Sequence, residues 1–163
     1  MAKWYGSAMT ISSSGSVMAN RHNYYDLDPT YKNAFGQPLM RMTFDYKENE
    51  HKMSRFTAEV LNSFSKSLKT TRVNAASART EPWSIVPYQS THNTGGTIMG
   101  TSPATSAVNK YLQSWDCHNL FVMGANVFPH NAAYNPTGPV GALAYWAADA
   151  IKNRYVKNPG MLV

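Results

Sequence analysis

A chain of 163 residues, 43% hydrophobic and only 15% charged, has enough apolar material for a core and too little charge for a disordered chain. Its net charge of +6 is scattered from Lys47 to Lys157 and makes no basic stripe, which argues against a nucleic-acid binder. Cys117 is the only cysteine, so an internal disulfide and a thiolate metal cage are both excluded.

Lys3 to Ser12 carries aromatic and β-branched residues and predicts a weak strand. Ser12 to Pro29 is polar and turn-rich and reads as a long surface loop. Gly36-Gln37-Pro38 opens the clearest strand. Met40, Met42, Phe44 and Tyr46 alternate there with Arg41, Thr43 and Asp45, the period of a sheet with one buried face.

Asn49 is the expected cap of the next helix, with Glu50 favourable beside it. Met53, Phe56, Val60, Leu61, Phe64 and Leu68 recur along one face, so this helix is expected to cover the Met40–Tyr46 sheet with a core stripe. Thr70 to Tyr88 reads as a connector with short extended pieces. Leu120 to Met123, bounded by Asn119 and Gly124, predicts a buried strand. Gly124-Ala125-Asn126 is a small-residue exit where a backbone or ligand can come close. Asn135 as cap and Pro136 as first residue open a last helix rich in alanine. Met1 to Ser16 lacks the apolar run of a signal peptide. Val140 to Ile151 is too short to span a bilayer and contains Asp149.

The most unusual stretch is His92-Asn93-Thr94-Gly95-Gly96-Thr97-Ile98-Met99-Gly100, an imidazole set just before a turn that needs glycine. Gly95 to Ser102 has P-loop spacing, but Thr101 stands where the phosphate-binding lysine belongs. No G-x-G-x-x-G follows a strand, so the chain has no dinucleotide fingerprint of its own. None of the five histidines makes a helical metal-ligand pair. From local sequence alone, His92 suits a base on a loop, and Asn135 suits either a helix cap or an amide that holds a substrate.

Taken in order, His92-x-x-Gly95, Met99-Gly100, Ser106-Ala107-Val108-Asn109, Asn119-Leu120-Phe121-Val122-x-Gly124-Ala125, Phe128-Pro129 and Asn135-Pro136-Thr137 resemble the C-terminal signature of glucose–methanol–choline flavin oxidoreductases. Within that family they are most similar to the flavoprotein subunits of gluconate 2-dehydrogenases and related bacterial sugar and polyol dehydrogenases. Leu27-Asp28-Pro29 and the run from Lys32 to Tyr46 are similar to the same subunits.

The resemblance implies an α+β fragment of a larger two-domain fold. A mixed sheet with a long covering helix is followed by the C-terminal strand and helix of a flavin-binding domain. Residues 1–85 are then part of the substrate-binding domain, and residues 86–163 are the catalytic loop and the C-terminal segment of the FAD-binding domain. Met1 reads as an internal start, a truncated reading frame or an artificial boundary, and the missing partner is the N-terminal flavin-binding half, without which the chain is expected to be inactive.

The resemblance also implies FAD as cofactor and oxidation of a CH–OH group of a sugar, sugar acid or polyol. In that scheme His92 takes the alcohol proton, hydride passes to the flavin, and Asn135 binds the same oxygen. Gly124, Ala125 and Asn126 lie along the flavin's ribityl and phosphate portion, with Pro136 and Thr137 at its pyrimidine edge. Many members carry an acidic residue where Gly124 stands, which leaves only backbone contact there. A small subunit, a membrane cytochrome c and a periplasmic parent enzyme are implied in the same way. The competing reading is a complete small α+β binding or interaction module whose glycine turn is purely structural.

Overall fold

A computed structural model describes residues 5–86, 92–131 and 133–162. Lys3 and Trp4 of the expected first strand, and Pro87 and Tyr88 at the end of the connector, lie outside the described residues.

The first regular element is a hairpin. Strand β1 (Tyr24–Lys32) pairs antiparallel with β2 (Pro38–Thr43), with Tyr25 opposite Met42 and Asp26 opposite Arg41. Regular pairing breaks between Leu27 and Lys32. Asp28 causes the break: one carboxylate oxygen accepts the N–H groups of both Thr30 and Tyr31, at 2.8 Å each, turning the chain at Pro29. At the hairpin end the Asn33 side chain accepts the N–H groups of Phe35 and Gln37, and Gly36 takes a φ of 78°. Arg41 grips Asp26 across the strands through two nitrogens.

Two expectations are corrected here. Tyr24 to Pro29 is strand rather than loop, while residues 8–20 contain no strand. The alternation of Met40, Met42, Phe44 and Tyr46 also fails to bury a full face: every residue of β2 is exposed, and Phe44 and Tyr46, past its end, are half-buried. The sheet has two strands among the described residues.

Helix α1 (Glu48–Ser67) starts before its expected cap: Lys47, not Asn49, is the N-cap residue. The Glu50 carboxylate accepts the Lys47 N–H at 2.9 Å and the Met18 N–H at 3.1 Å, closing the helix start and tying it to the preceding loop. Burial pushes the Glu50 carboxyl up, but these two N–H groups, together with the Asn49 amide and its own backbone N–H, outweigh it and hold its pKa below the ordinary value. Loops, not the hairpin, pack around α1. Asn62 exchanges two hydrogen bonds with Ala76, Ser54 accepts the Arg79 N–H, and Gly15 leaves room for Met53. The apolar stripe is therefore covered only in part: Met53, Leu61 and Leu68 are half-buried, while Phe56, Val60 and Phe64 are 67%, 48% and 49% exposed.

The core lies in the C-terminal half. Val108, Leu112, Val127, Phe128 and Ala147 are buried together, with Met99, Val122, Val140 and Leu143 against them. A second group, Tyr111, Ala150 and Leu162, packs with Phe121 and Tyr155. Leu120 to Met123 is an extended segment rather than a regular strand. It bridges Gln113 through Phe121, and Leu120 and Met123 stay largely exposed.

Helix α2 (Thr137–Ala150) supplies the apolar backing and runs on into one π turn, Ile151–Tyr155. Its N-cap is Pro136, whose carbonyl accepts the Val140 N–H at 3.0 Å; Asn135 precedes the cap and does not perform it. No helix among the described residues is long and apolar enough to cross a membrane.

Candidate functional site

The glycine-rich stretch is held at its far end by the core. Ala107 donates to Ile98, and Gly100 to Val108. Along its length it lies against the turn at 125–127. Gly95 N–H donates to the Ala125 carbonyl at 3.0 Å, Thr97 to Asn126 at 3.0 Å and Met99 to Val127 at 2.8 Å. The Asn126 carboxamide adds a 2.6 Å bond to the Thr97 hydroxyl. The close approach expected at Gly124-Ala125-Asn126 is therefore made by backbone, from a segment about thirty residues earlier in the chain.

The glycines are needed for this geometry. Gly95 and Gly96 have φ of 84° and 114°, and a Cβ on Gly96 would stand 3.2 Å from the Tyr25 ring. Gly124 has a φ of 129°, and a Cβ there would meet Asn126 Oδ1 at 2.7 Å. A side chain at that position would be strained by this φ and would displace the Asn126 carboxamide.

His92 stands at the free end of this anchored stretch. It is exposed and has a φ of 61°, a left-handed conformation that costs a histidine energy and is enriched at functional sites. It lines a cleft of about 1230 Å³. The walls come from three directions: the loop with Asn20, Arg21 and Asn23, the β1–β2 edge with Tyr25, and the connector with Arg79 and Trp83. Phe44 meets Trp83 edge-on at 5.3 Å and Tyr46 at 5.7 Å, which makes an aromatic wall.

Asp45 fastens that wall. Its Oδ1 accepts the N–H groups of Trp83 at 2.9 Å and Tyr46 at 2.8 Å. The Trp83 hydrogen bond, opposed by burial and helped by Tyr46, lowers the Asp45 pKa.

The expected site residues fall into two groups. His92 lines the cleft, together with Asn131. Gly124, Ala125, Asn126, Asn135, Pro136 and Thr137 do not line it. Gly124 to Asn126 are joined to the His92 stretch through Gly95 and Thr97, but Asn135 is exposed and makes no hydrogen bond with the described residues. Sequence reasoning missed Arg21, Tyr25, Arg79 and Trp83. They sit in loops and a strand of no regular pattern, and only folding brings them to His92.

The profile of GMC oxidoreductases, in its C-terminal part, matches residues 19–144. The chain belongs to this family. It is 45% identical over its whole length to a gluconate 2-dehydrogenase flavoprotein of Pantoea cypripedii, covering 27% of that protein. It is 31% identical to the fructose dehydrogenase large subunit of Gluconobacter japonicus, over 88% of this chain and 25% of the relative. It is 28% identical to a 2-methyl-1,2-propanediol dehydrogenase of Mycolicibacterium austroafricanum, over 93% of this chain and 26% of the relative. The chain thus spans about a quarter of the length of these curated relatives.

Proposed function

We propose that this chain is the C-terminal part of an FAD-dependent dehydrogenase that oxidises a CH–OH group of a sugar, sugar acid or polyol. The observation that carries the reading is His92. It is held with a positive φ at the end of a core-anchored glycine stretch and faces a cleft of a size that takes a small polyhydroxy molecule. The three relatives bear dehydrogenase names, one of them flavoprotein.

His92 acts as the general base, taking the hydroxyl proton onto an imidazole nitrogen as the carbon–hydrogen bond breaks. We assign the amide of Asn135 to the same oxygen, where it does not compete for the proton; it lies outside the lining of the cleft and has no hydrogen bond among the described residues, so this role belongs to the assembled full-length enzyme. Trp83, Phe44 and Tyr46 present an apolar wall to the sugar carbons, and the carboxamide NH2 groups of Asn20 and Asn131, whose oxygens are taken by the His22 and Ala133 N–H groups, offer donors to its hydroxyls.

The chain's own residues fit a flavin. The N–H groups of Gly124, Ala125 and Asn126 have no acceptor among the described residues, while the carbonyls of Ala125 and Asn126 are engaged by Gly95 and Thr97. What remains on this turn is donor groups, suited to phosphate or ribityl oxygens. Thr137 and Gly138 open α2, where the helix dipole favours negative charge. When bound, the flavin supplies the hydride acceptor.

In this reading residues 1–85 belong to the substrate-binding domain and residues 86–163 to the catalytic loop and the end of the FAD-binding domain. The rest of the flavin site comes from an N-terminal half. The full enzyme works in the periplasm with a small subunit and a membrane cytochrome c. Anaerobic mixing of the full-length flavoprotein with sugars, sugar acids and polyols tests the reading. Bleaching of the flavin absorbance by at least one of them is expected; a flavin that none of them reduces refutes it.

A further inference from the structure

The stretch that begins at His92 is bonded on both sides further along. Gly95, Thr97 and Met99 donate their N–H groups to the carbonyls of Ala125, Asn126 and Val127. Ile98 and Gly100 face the other way, onto Ala107 and Val108. Among the described residues these backbone bonds stop at Gly95, three residues short of His92. Between Thr97 and His92 lie Gly95 and Gly96, with φ of 84° and 114°. Their torsions set the direction in which the chain leaves toward the imidazole, and glycine torsions are soft.

One side-chain bond crosses at that point. The Asn126 carboxamide nitrogen donates to the Thr97 hydroxyl at 2.6 Å. The other end of the carboxamide, Oδ1, packs over Gly124, 2.7 Å from where a Cβ on that glycine would stand. Thr97 and Asn126 are both half-buried, which limits competition from water for the bond. A single carboxamide thus ties the stretch that carries His92 to the turn at 124–126.

We propose that Thr97 is a positioning residue: its hydroxyl, held by Asn126, sets the register of His92 against the 124–126 turn. This rests on the reading of His92 as base and of that turn as part of the flavin site, and adds the group that places one against the other. Taking a proton and a hydride from one CH–OH group requires base and acceptor to be placed together, and a misplacement of about 1 Å can cost about 10²-fold in rate. Thr97→Val keeps the shape of the side chain and the backbone bonds and removes only the hydroxyl, so its effect should be smaller.

The test is anaerobic stopped-flow reduction of the full-length flavoprotein, with the sugar, sugar acid or polyol that bleaches the wild-type flavin fastest in the screen above. In Thr97→Val the limiting rate should fall by about threefold to tenfold, the worth of one neutral hydrogen bond. The substrate concentration for half-maximal reduction, the flavin content and the visible flavin spectrum should stay as in wild type. Thr97→Ser, which keeps the hydroxyl, should recover most of the rate. In a His92→Ala background, Thr97→Val should change the residual rate by less than about twofold, because the group it acts through is gone. Asn126→Ala breaks the same bond from the other end. It should reproduce the rate loss and also alter the visible circular dichroism of the bound flavin, since the turn loses its tie.

A Thr97→Val enzyme that is reduced at the wild-type rate overturns the assignment. So does an equal loss with and without His92, the mark of a bond that only stabilises the fold. If Thr97→Val does not fold, Asn126→Ala decides by the same two comparisons. A His92→Ala enzyme that loses no rate removes the base reading, and this inference with it.

Discussion

Replacing Gln113 by Ala should unfold the C-terminal half well before the rest. Gln113 is 0% exposed, and its side chain closes the end of the chain onto the core. Nε2 donates to the carbonyls of His118 at 2.6 Å and Gly160 at 2.8 Å, and Oε1 accepts the Leu162 N–H at 2.7 Å. Asn109 completes the clamp, donating to the Leu162 carbonyl at 2.8 Å. Alanine strands the buried Leu162 N–H and the part-buried carbonyls of His118 and Gly160; a buried group left unpaired costs about 1–3 kcal/mol, a part-buried one less. Allowing for relaxation and entry of water, the loss should be about 3–5 kcal/mol. In a chain of this size that lowers Tm by roughly 2–4 °C per kcal/mol. Thermal unfolding followed by circular dichroism measures it. Gln113→Glu should be at least as harmful, because it points an acceptor at two carbonyls. A Gln113→Ala protein within about 1 kcal/mol of wild type would refute the clamp as the element that fixes residues 160–162.

Gly124→Ala should cost about 1–3 kcal/mol, because its φ of 129° is foreign to alanine and the new Cβ meets Asn126; urea unfolding of the pair gives the difference. Asn135→Ala should change stability by less than about 0.5 kcal/mol, since Pro136 is the N-cap; a loss near 1 kcal/mol would restore Asn135 as the cap. The Asp45 carboxyl has its pKa lowered on folding, so its contribution is full above the ordinary carboxylate pKa and is lost as pH falls through the lower, folded value. Trp83 emission should therefore shift in an acid titration as its N–H loses this acceptor, and Asp45→Asn should flatten that shift.

The first helix and the second strand were legible because their periods of 3.6 and 2 are written in the apolar residues, and the last helix through the Asn135-Pro136 start and its alanines. What those patterns could not say is where the covering surface lies. Phe56, Val60 and Phe64 form a helical stripe, yet the described residues leave them exposed, and the expected core over the hairpin is absent. Much of the real core lies around Val108 and Leu112, in a stretch with no regular apolar period. Asn109 and Gln113 look like loop residues, but they are buried because their amides satisfy the backbone around them. Leu112 between them has a φ of 61°, which no propensity for leucine would suggest. β1 was missed because Asp28-Pro29 reads as a turn, and it is a bulge within a strand. At the site, His92 and the glycines announced themselves by type and spacing. Arg21, Arg79 and Trp83 could not, since their nearness to His92 comes from chain crossings that leave no local signal.

The central claim is that His92 is the base of an alcohol oxidation. Anaerobic stopped-flow reduction of the full-length flavoprotein, wild type against His92→Ala, tests it most directly. Removing the imidazole leaves the 95–99 pairing with 125–127 in place, so flavin content should be nearly unchanged. Loss of a general base should slow flavin reduction by roughly 10²–10⁴-fold. A His92→Ala enzyme that reduces its flavin at close to the wild-type rate would contradict the account.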